Sequence, residues 1–158
     1  MNYKIVEREE IKLVGITERI VMPSNAIHHL WENFNKRSGE VDKVVTRSTC
    51  YGLADNMTEP NTFDETVAYE VSEFANIPEG MITKIIPKQK YLVFTHVGAI
   101  VGKNGEQFLS KTYENIYGKI IPTLEFEIDS TFNFELYDDR FSHALENSEF
   151  DIYVPIKK

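Results

Sequence analysis

The chain has 158 residues, 42% of them hydrophobic, 27% charged and 12% aromatic, which suits one folded domain or two small halves sharing a core and excludes disorder as its main state. Its 25 acids against 17 bases give a formal charge of −8, so the polyanionic backbone of nucleic acid is repelled and no direct nucleic-acid partner is expected. The lone Cys50 excludes an intramolecular disulfide and a cysteine-based metal cage, and the lack of an export signal or of 18 successive apolar residues predicts a cytoplasmic protein without a membrane span.

Residues 3–21 alternate loosely between apolar and polar, and the segment Lys12-Leu13-Val14-Gly15-Ile16-Thr17 predicts a strand with one glycine irregularity. A helix is expected from Ser24 or Asn25 as N-cap to about Gly39, because Ile27, Leu30, Trp31 and Phe34 fall at i, i+3, i+4 and i+7. Strands are predicted over residues 46–54 and 66–74, joined by a long polar loop, Asp55 to Glu65, that contains Pro60.

The second half opens with a segment from Gly80 to Ile86 and a β-branched and aromatic strand, Lys90 to Gly98. The run Gly102-Lys103-Asn104-Gly105 reads as a turn. Leu109, Tyr113, Ile116 and Ile120 then recur at helical spacing until Pro122, and aromatic-rich strands follow near Phe132–Tyr137 and Phe150–Ile156.

The two halves match at a nearly constant offset: Leu13 with Leu92, Trp31 with Tyr113, Leu53 with Leu136, Tyr69 with Tyr153. Neither half buries much of its chain alone, so the pattern predicts one α+β domain built from a duplicated β-α-β-β unit, with half-repeats of about 1–79 and 80–158 packed about a pseudo-two-fold.

The last two strands carry the most chemistry. Alternation separates Phe132, Phe134 and Leu136 from Asn133, Glu135 and Tyr137, and Phe150, Ile152, Val154 and Ile156 from Glu149, Asp151 and Tyr153. If both greasy faces pack on the helices, Glu135, Tyr137, Asp151 and Tyr153 share the opposite face. Carboxylates beside ring faces suit a cation with an aromatic body, through Coulomb attraction and cation–π contacts worth roughly 0.5 to 2 kcal/mol. The bland alternative is a solvated sheet face. Residues 123–151 hold nine acids (Glu125, Glu127, Asp129, Glu135, Asp138, Asp139, Glu146, Glu149 and Asp151) against Arg140 alone, so the net charge is concentrated there.

Other templates fail. His28 and His29 are neighbours on a helix and point about 100° apart, while His96 and His143 have no ligand-spaced companion, so no metal and no cofactor are expected. Cys50 reads as a small buried hydrophobe rather than a nucleophile. His96 reads as a partly buried, hydrogen-bonded residue on the Leu92 and Phe94 side of its strand.

The segments Ala26-Ile27-His28-His29-Leu30-Trp31, Tyr51-Gly52-Leu53 with Ala68-Tyr69-Glu70-Val71, Tyr91 to Gly98, and the terminal Phe134 to Tyr137 and Glu149 to Ile156 resemble the GyrI-like small-molecule-binding superfamily. That superfamily also supplies the effector-binding domains of AraC-type and MerR-type multidrug-responsive regulators. The resemblance implies a curved antiparallel sheet with two main helices and a cleft on the pseudo-symmetry axis, binding lipophilic and often cationic molecules. Carried over as lining are Trp31, Tyr51, Tyr69, Phe94, Tyr137 and Tyr153, with Glu135 and Asp151 as rival acidic anchors; Asp151 stands where the terminal motif usually has Glu. The leading expectation is a stand-alone binding protein that sequesters or senses a small molecule. Two alternatives are a hydrolase of cyclopropane-bearing alkylating compounds using Glu135 and Asp151 as a catalytic pair, and a module whose protein partner is gyrase or a transcription regulator.

Overall fold

Residues 3–21 form two strands, β1 (Tyr3–Arg8) and β2 (Ile11–Val21), rather than one. The irregularity at Gly15 has a steric cause: a Cβ there would fall 1.9 Å from the Val67 carbonyl oxygen of the neighbouring strand. Helix α1 (Ala26–Arg37) follows, with Ser24 Oγ accepting from the Ala26 N–H at 2.9 Å, and buries Leu30 and Phe34 of the expected stripe. The computed structural model describes residues 1–98, 105–142 and 147–157, with side chains from 105 to 108 not described. The Gly102-Lys103-Asn104 turn, His143 and Glu146 therefore lie outside the described residues.

The expected long loop after residue 54 is instead a hairpin. Strand β3 (Cys50–Glu59) and strand β4 (Thr62–Glu70) pair antiparallel, with a register irregularity between Asp55 and Glu59. Pro60 and Asn61 make the turn, Asn61 at φ 65°, a geometry Asn tolerates; polarity marked these residues as loop, but turn chemistry occupies only two of them. Strands β5 (Ile82–Ile86) and β6 (Gln89–Val97) precede helix α2 (Gly105–Asn115). A π-helical turn (Ile116–Ile120) and a 3₁₀ turn (Ile121–Thr123) containing Pro122 end it, and β7 (Phe132–Tyr137) and β8 (Glu149–Ile156) complete the fold.

All eight strands join one antiparallel sheet in the order β1-β6-β8-β7-β3-β4-β2-β5. Exchanging β1 to β4 with β5 to β8 reverses this order and leaves it unchanged, which is the pseudo-two-fold of the duplicated unit. The axis passes between β3 and β7. Two residues link β1 to β2, and two link β5 to β6, although each pair sits six strand positions apart. A flat sheet would separate them by about 29 Å, whereas such linkers reach about 11 Å. The sheet therefore curls until its edges approach.

The curl divides the core. Its inner face is filled by Leu13, Tyr51, Leu53, Ile86, Tyr91, Phe134 and Tyr153, with Phe134 stacked on Tyr153 at 4.5 Å and Tyr91 edge-on to Phe134 at 5.2 Å. On the outer face α1 buries Leu30 and Phe34 among Val14, Val67 and Val71, while α2 and its extension cover Leu92, Phe94, Phe150, Ile152 and Val154. The middle strands β3 and β7 lie between the two helical patches. Burying both faces supplies the apolar area that neither repeat provides alone.

Candidate functional site

The register of β7 against β8 decides where the acids go. Glu135 stands opposite Ile152, and Leu136 opposite Asp151. The greasy face of β8 packs on α2, as the alternation implies, but the greasy face of β7 points into the curl. The two strands are one residue out of phase. Glu135 and Tyr137 consequently lie on the helix side, and Asp151 and Tyr153 on the inner side, which corrects the expectation of one shared acidic face.

Across the other ladder of β7, Glu135 faces Gly52 of β3. A Cβ at Gly52 would lie 3.2 Å from Glu65 Oε2, 3.4 Å from Trp31 Cζ2 and 3.7 Å from Glu135 Oε1, so two carboxyls and an indole converge over this residue. The Tyr113 hydroxyl of α2 donates to Glu135 Oε2, and the Tyr137 hydroxyl donates to Oε1 at 2.6 Å. The Trp31 ring meets Tyr137 edge-on at 4.9 Å, and Tyr113 lies parallel to Tyr117 at 6.3 Å. Phe150 and Phe141 back the Tyr137 ring at 4.6 and 4.7 Å. Trp31, Tyr113 and Glu135 keep part of their surface exposed, and Tyr117 more, so the cluster opens outward between the helices.

Burial raises the Glu135 carboxyl above its ordinary range, against the opposing pull of the two tyrosine hydroxyls. Burial raises Glu65 further, with like charge from Glu135 and Asp55 adding to it. The phenols respond in the same direction: desolvation and the charge of Glu135 hold Tyr113 and Tyr137 well above the usual phenol range, and Tyr117 is pushed up to about 12, chiefly by burial. The arrangement is a buried and a half-buried carboxyl beside an indole and phenol rings, with no basic side chain bonded to either acid among the described residues.

The other expected site residues sit elsewhere. Asp151 accepts from Thr95 Oγ1 at 2.7 Å and from Arg140 at 2.8 Å, and Arg140 also bonds Asp138 at 2.9 Å. Its carboxylate is already committed. Tyr153 is packed against Phe134 and Tyr91 under the Arg8 guanidinium at 5.8 Å, and Tyr51 hydrogen-bonds Arg8 and Glu70 on the same inner face. Tyr69 shares the outer face but packs on Phe34 at 5.2 Å and under Arg47 at 5.7 Å. Phe94 is wholly buried beneath Tyr3 and the α2 patch. Of the eight, the structure brings together Trp31, Glu135 and Tyr137. Because Glu135 and Asp151 occupy opposite faces of one sheet, they do not form the carboxylate pair that the hydrolase alternative needs.

Glu65, Tyr113 and Tyr117 are the members that sequence reasoning missed. Tyr113 carried a usable signal, since the repeat matches it to Trp31 and the pseudo-two-fold sets the pair on the two helices flanking the axis. Glu65 was hidden at the end of what reads as a polar loop, although the four residues after it, Thr66 to Tyr69, continue a strand.

His96, 2% exposed, bonds Thr112 through Nδ1 at 2.8 Å and lies on the side of Leu92 and Phe94. Cys50 donates to the Ala68 carbonyl at 3.3 Å and is held up to about 12 by burial. Among the described residues no group of three His, Cys, Asp or Glu side chains could hold a metal ion, and no helix is long and apolar enough to cross a membrane.

Comparison with known proteins bears on this cluster. The family described as Cass2, integron-associated effector binding protein, matches residues 4–156. The transcriptional regulator BrlR of Pseudomonas aeruginosa is 33% identical over 158 residues, covering 99% of this chain and 56% of BrlR. The chain thus spans about half the length of that regulator. Among solved structures, SAV2435 bound to tetraphenylphosphonium superposes with a TM-score of 0.73 at 21% identity, over 99% of this chain and 94% of that one. An integron cassette protein of Vibrio cholerae gives 0.66 at 17% identity, over 98% and 95%. At these identities the superpositions show the fold.

Proposed function

The chain belongs to the Cass2 family of integron-associated effector binding proteins, and from that premise we propose that it holds a lipophilic cation in the recess between α1 and α2. The observation that carries this reading is Glu135: a carboxylate fixed by two tyrosine hydroxyls, with no basic partner among the described residues, facing an indole and phenol rings.

Glu135 supplies Coulomb attraction in a setting of reduced dielectric, where an unpaired charge is costly and a cationic visitor relieves it. Trp31, Tyr113 and Tyr117 offer ring faces, which attract cations and bury apolar area without requiring a set hydrogen-bond pattern. Gly52 leaves the floor free of a side chain. Binding without turnover needs nothing further, and the ligand of SAV2435, a phosphonium shielded by four phenyl rings, has this chemistry. The biological role that follows is to lower the free concentration of such a molecule or to pass its presence to a partner.

Calorimetric titration of the chain with tetraphenylphosphonium, beside the neutral triphenylphosphine oxide, tests the proposal. Saturable one-to-one binding of the cation, weakened at least tenfold by Glu135→Gln while the neutral compound is unaffected, is the expected result. No saturable binding of the cation would overturn it.

A further inference from the structure

Glu65 is 5% exposed, and its carboxyl has no hydrogen-bond or ion-pair partner among the described residues. The bond it makes outside the strand ladder is through its main-chain oxygen, which accepts from Thr17 Oγ1 at 3.1 Å. Glu135, by contrast, has a hydroxyl on each oxygen. Both carboxyls approach one point above Gly52, at 3.2 and 3.7 Å. Glu65 is buried and Glu135 half-buried, both reach the same point, and no basic group is bonded to either, so like charge disfavours ionising both and the proton settles on the one that lacks donors.

We infer that Glu65 is a second acid of the recess, carrying a proton while the recess is empty and yielding it to solvent when a monovalent organic cation settles beside both carboxyls. The inference rests on the reading of Glu135 as the cation anchor and adds the residue that couples binding to proton exchange. One positive charge enters and one leaves, so the buried charge stays at minus one in both states. A neutral ligand of the same shape displaces nothing, which makes the exchange a source of selectivity for cations.

The groups around Glu65 are consistent with this. Strand β7 presents Glu135 and Tyr137, β3 presents Cys50 and Asp55, and α2 presents Tyr113 and Tyr117; among the described residues the cation bonded to this set is Lys84 of β5, which pairs with Asp55 at 2.9 Å and not with Glu65. On β2 the register partner of Glu65 is the exposed Glu18. On α1, Trp31 does not titrate, and His28 and His29 turn to Glu32 at the surface, at 2.8 and 4.0 Å.

The test is calorimetric titration of the intact chain with tetraphenylphosphonium in phosphate and in Tris buffer, between about pH 6 and 8. The expected result is release of close to one proton per cation and an affinity that rises towards tenfold per pH unit. Glu65→Gln, which mimics the protonated acid, should still bind but release no proton and lose the pH dependence. Binding of the cation without proton release in the unaltered chain would overturn the inference and leave the cation site standing, as would full release persisting in Glu65→Gln. Absence of cation binding at every pH would overturn both. The proton count on the unaltered chain does not depend on how well the variant folds.

Discussion

Glu135 and Gly52 face each other across the β3–β7 ladder, and the repeat offset that matches Leu53 to Leu136 also matches these two residues to one another. They are the same position in the two halves, meeting at the pseudo-two-fold. One half places a carboxylate there and the other places no side chain, so an axis that symmetry would make crowded holds one charge and a gap.

That asymmetry makes Gly52→Ala informative. The added methyl would meet Glu65 Oε2 at 3.2 Å, the far end of a flexible side chain, and Trp31 at 3.4 Å, so the fold should survive with a small change in Tm. Tetraphenylphosphonium affinity should fall by about tenfold, equivalent to about 1.4 kcal/mol. Titration beside a thermal melt separates the two effects, and unchanged affinity would count against Gly52 as the floor.

Asp151→Asn should disturb stability rather than binding. The change weakens the bonds from Thr95 and Arg140, while Arg140 keeps Asp138 and Glu149 at 2.9 and 3.9 Å. A loss of about 1 kcal/mol is expected, or about 2–4 °C in Tm for a chain of this size. Cation affinity should stay within about twofold. A selective loss of cation binding would restore Asp151 as an anchor.

Tyr113→Phe removes one of the two hydroxyls on Glu135 and keeps the ring. Glu135 then loses a donor that favours its ionised form, so its carboxyl should titrate higher and cation affinity at mildly acid pH should drop several-fold, recovering as pH rises. The carboxyl resonance of Glu135, followed by NMR through a titration, reports the shift directly; no movement would show that the bond does not stabilise the anion.

Alkaline pH provides a test of burial. Cys50, Tyr91 and Tyr117 are each raised to about 12 by desolvation. Their neutral forms are favoured in the folded chain, so the stability they contribute is complete below the ordinary thiol and phenol values, about 8.5 and 10, and is lost as pH climbs towards 12. Denaturant midpoints should therefore fall steeply across that window. A thiol reagent at pH 8 should label Cys50 slowly in the folded chain and rapidly in urea; equal rates would contradict the buried thiol.

Much of this was legible from the residues. Spacing located α1 on Leu30 and Phe34, placed α2 with the π-helical turn that extends it as far as Pro122, and marked β6, β7 and β8 within a residue or two. The repeat offset pointed to the pseudo-two-fold that the strand order displays. Expectation departed from structure at the β3–β4 hairpin, where polar residues in exposed strands look like loop, and at the site, where Tyr51, Phe94 and Tyr153 pack into the core away from Glu135.

Alternation along a strand follows from backbone geometry, so the sequence by itself determined that Glu135 goes with Tyr137, and Asp151 with Tyr153. It also determined the ingredients, rings and acids near the end of the chain. Which pair meets the helices is settled by pairing between strands, because a slip of one residue turns every side chain to the other face. Only the tertiary structure set Glu135 opposite Ile152 and Gly52, brought Glu65 and Tyr113 to it from distant segments, and left Asp151 bonded to Arg140.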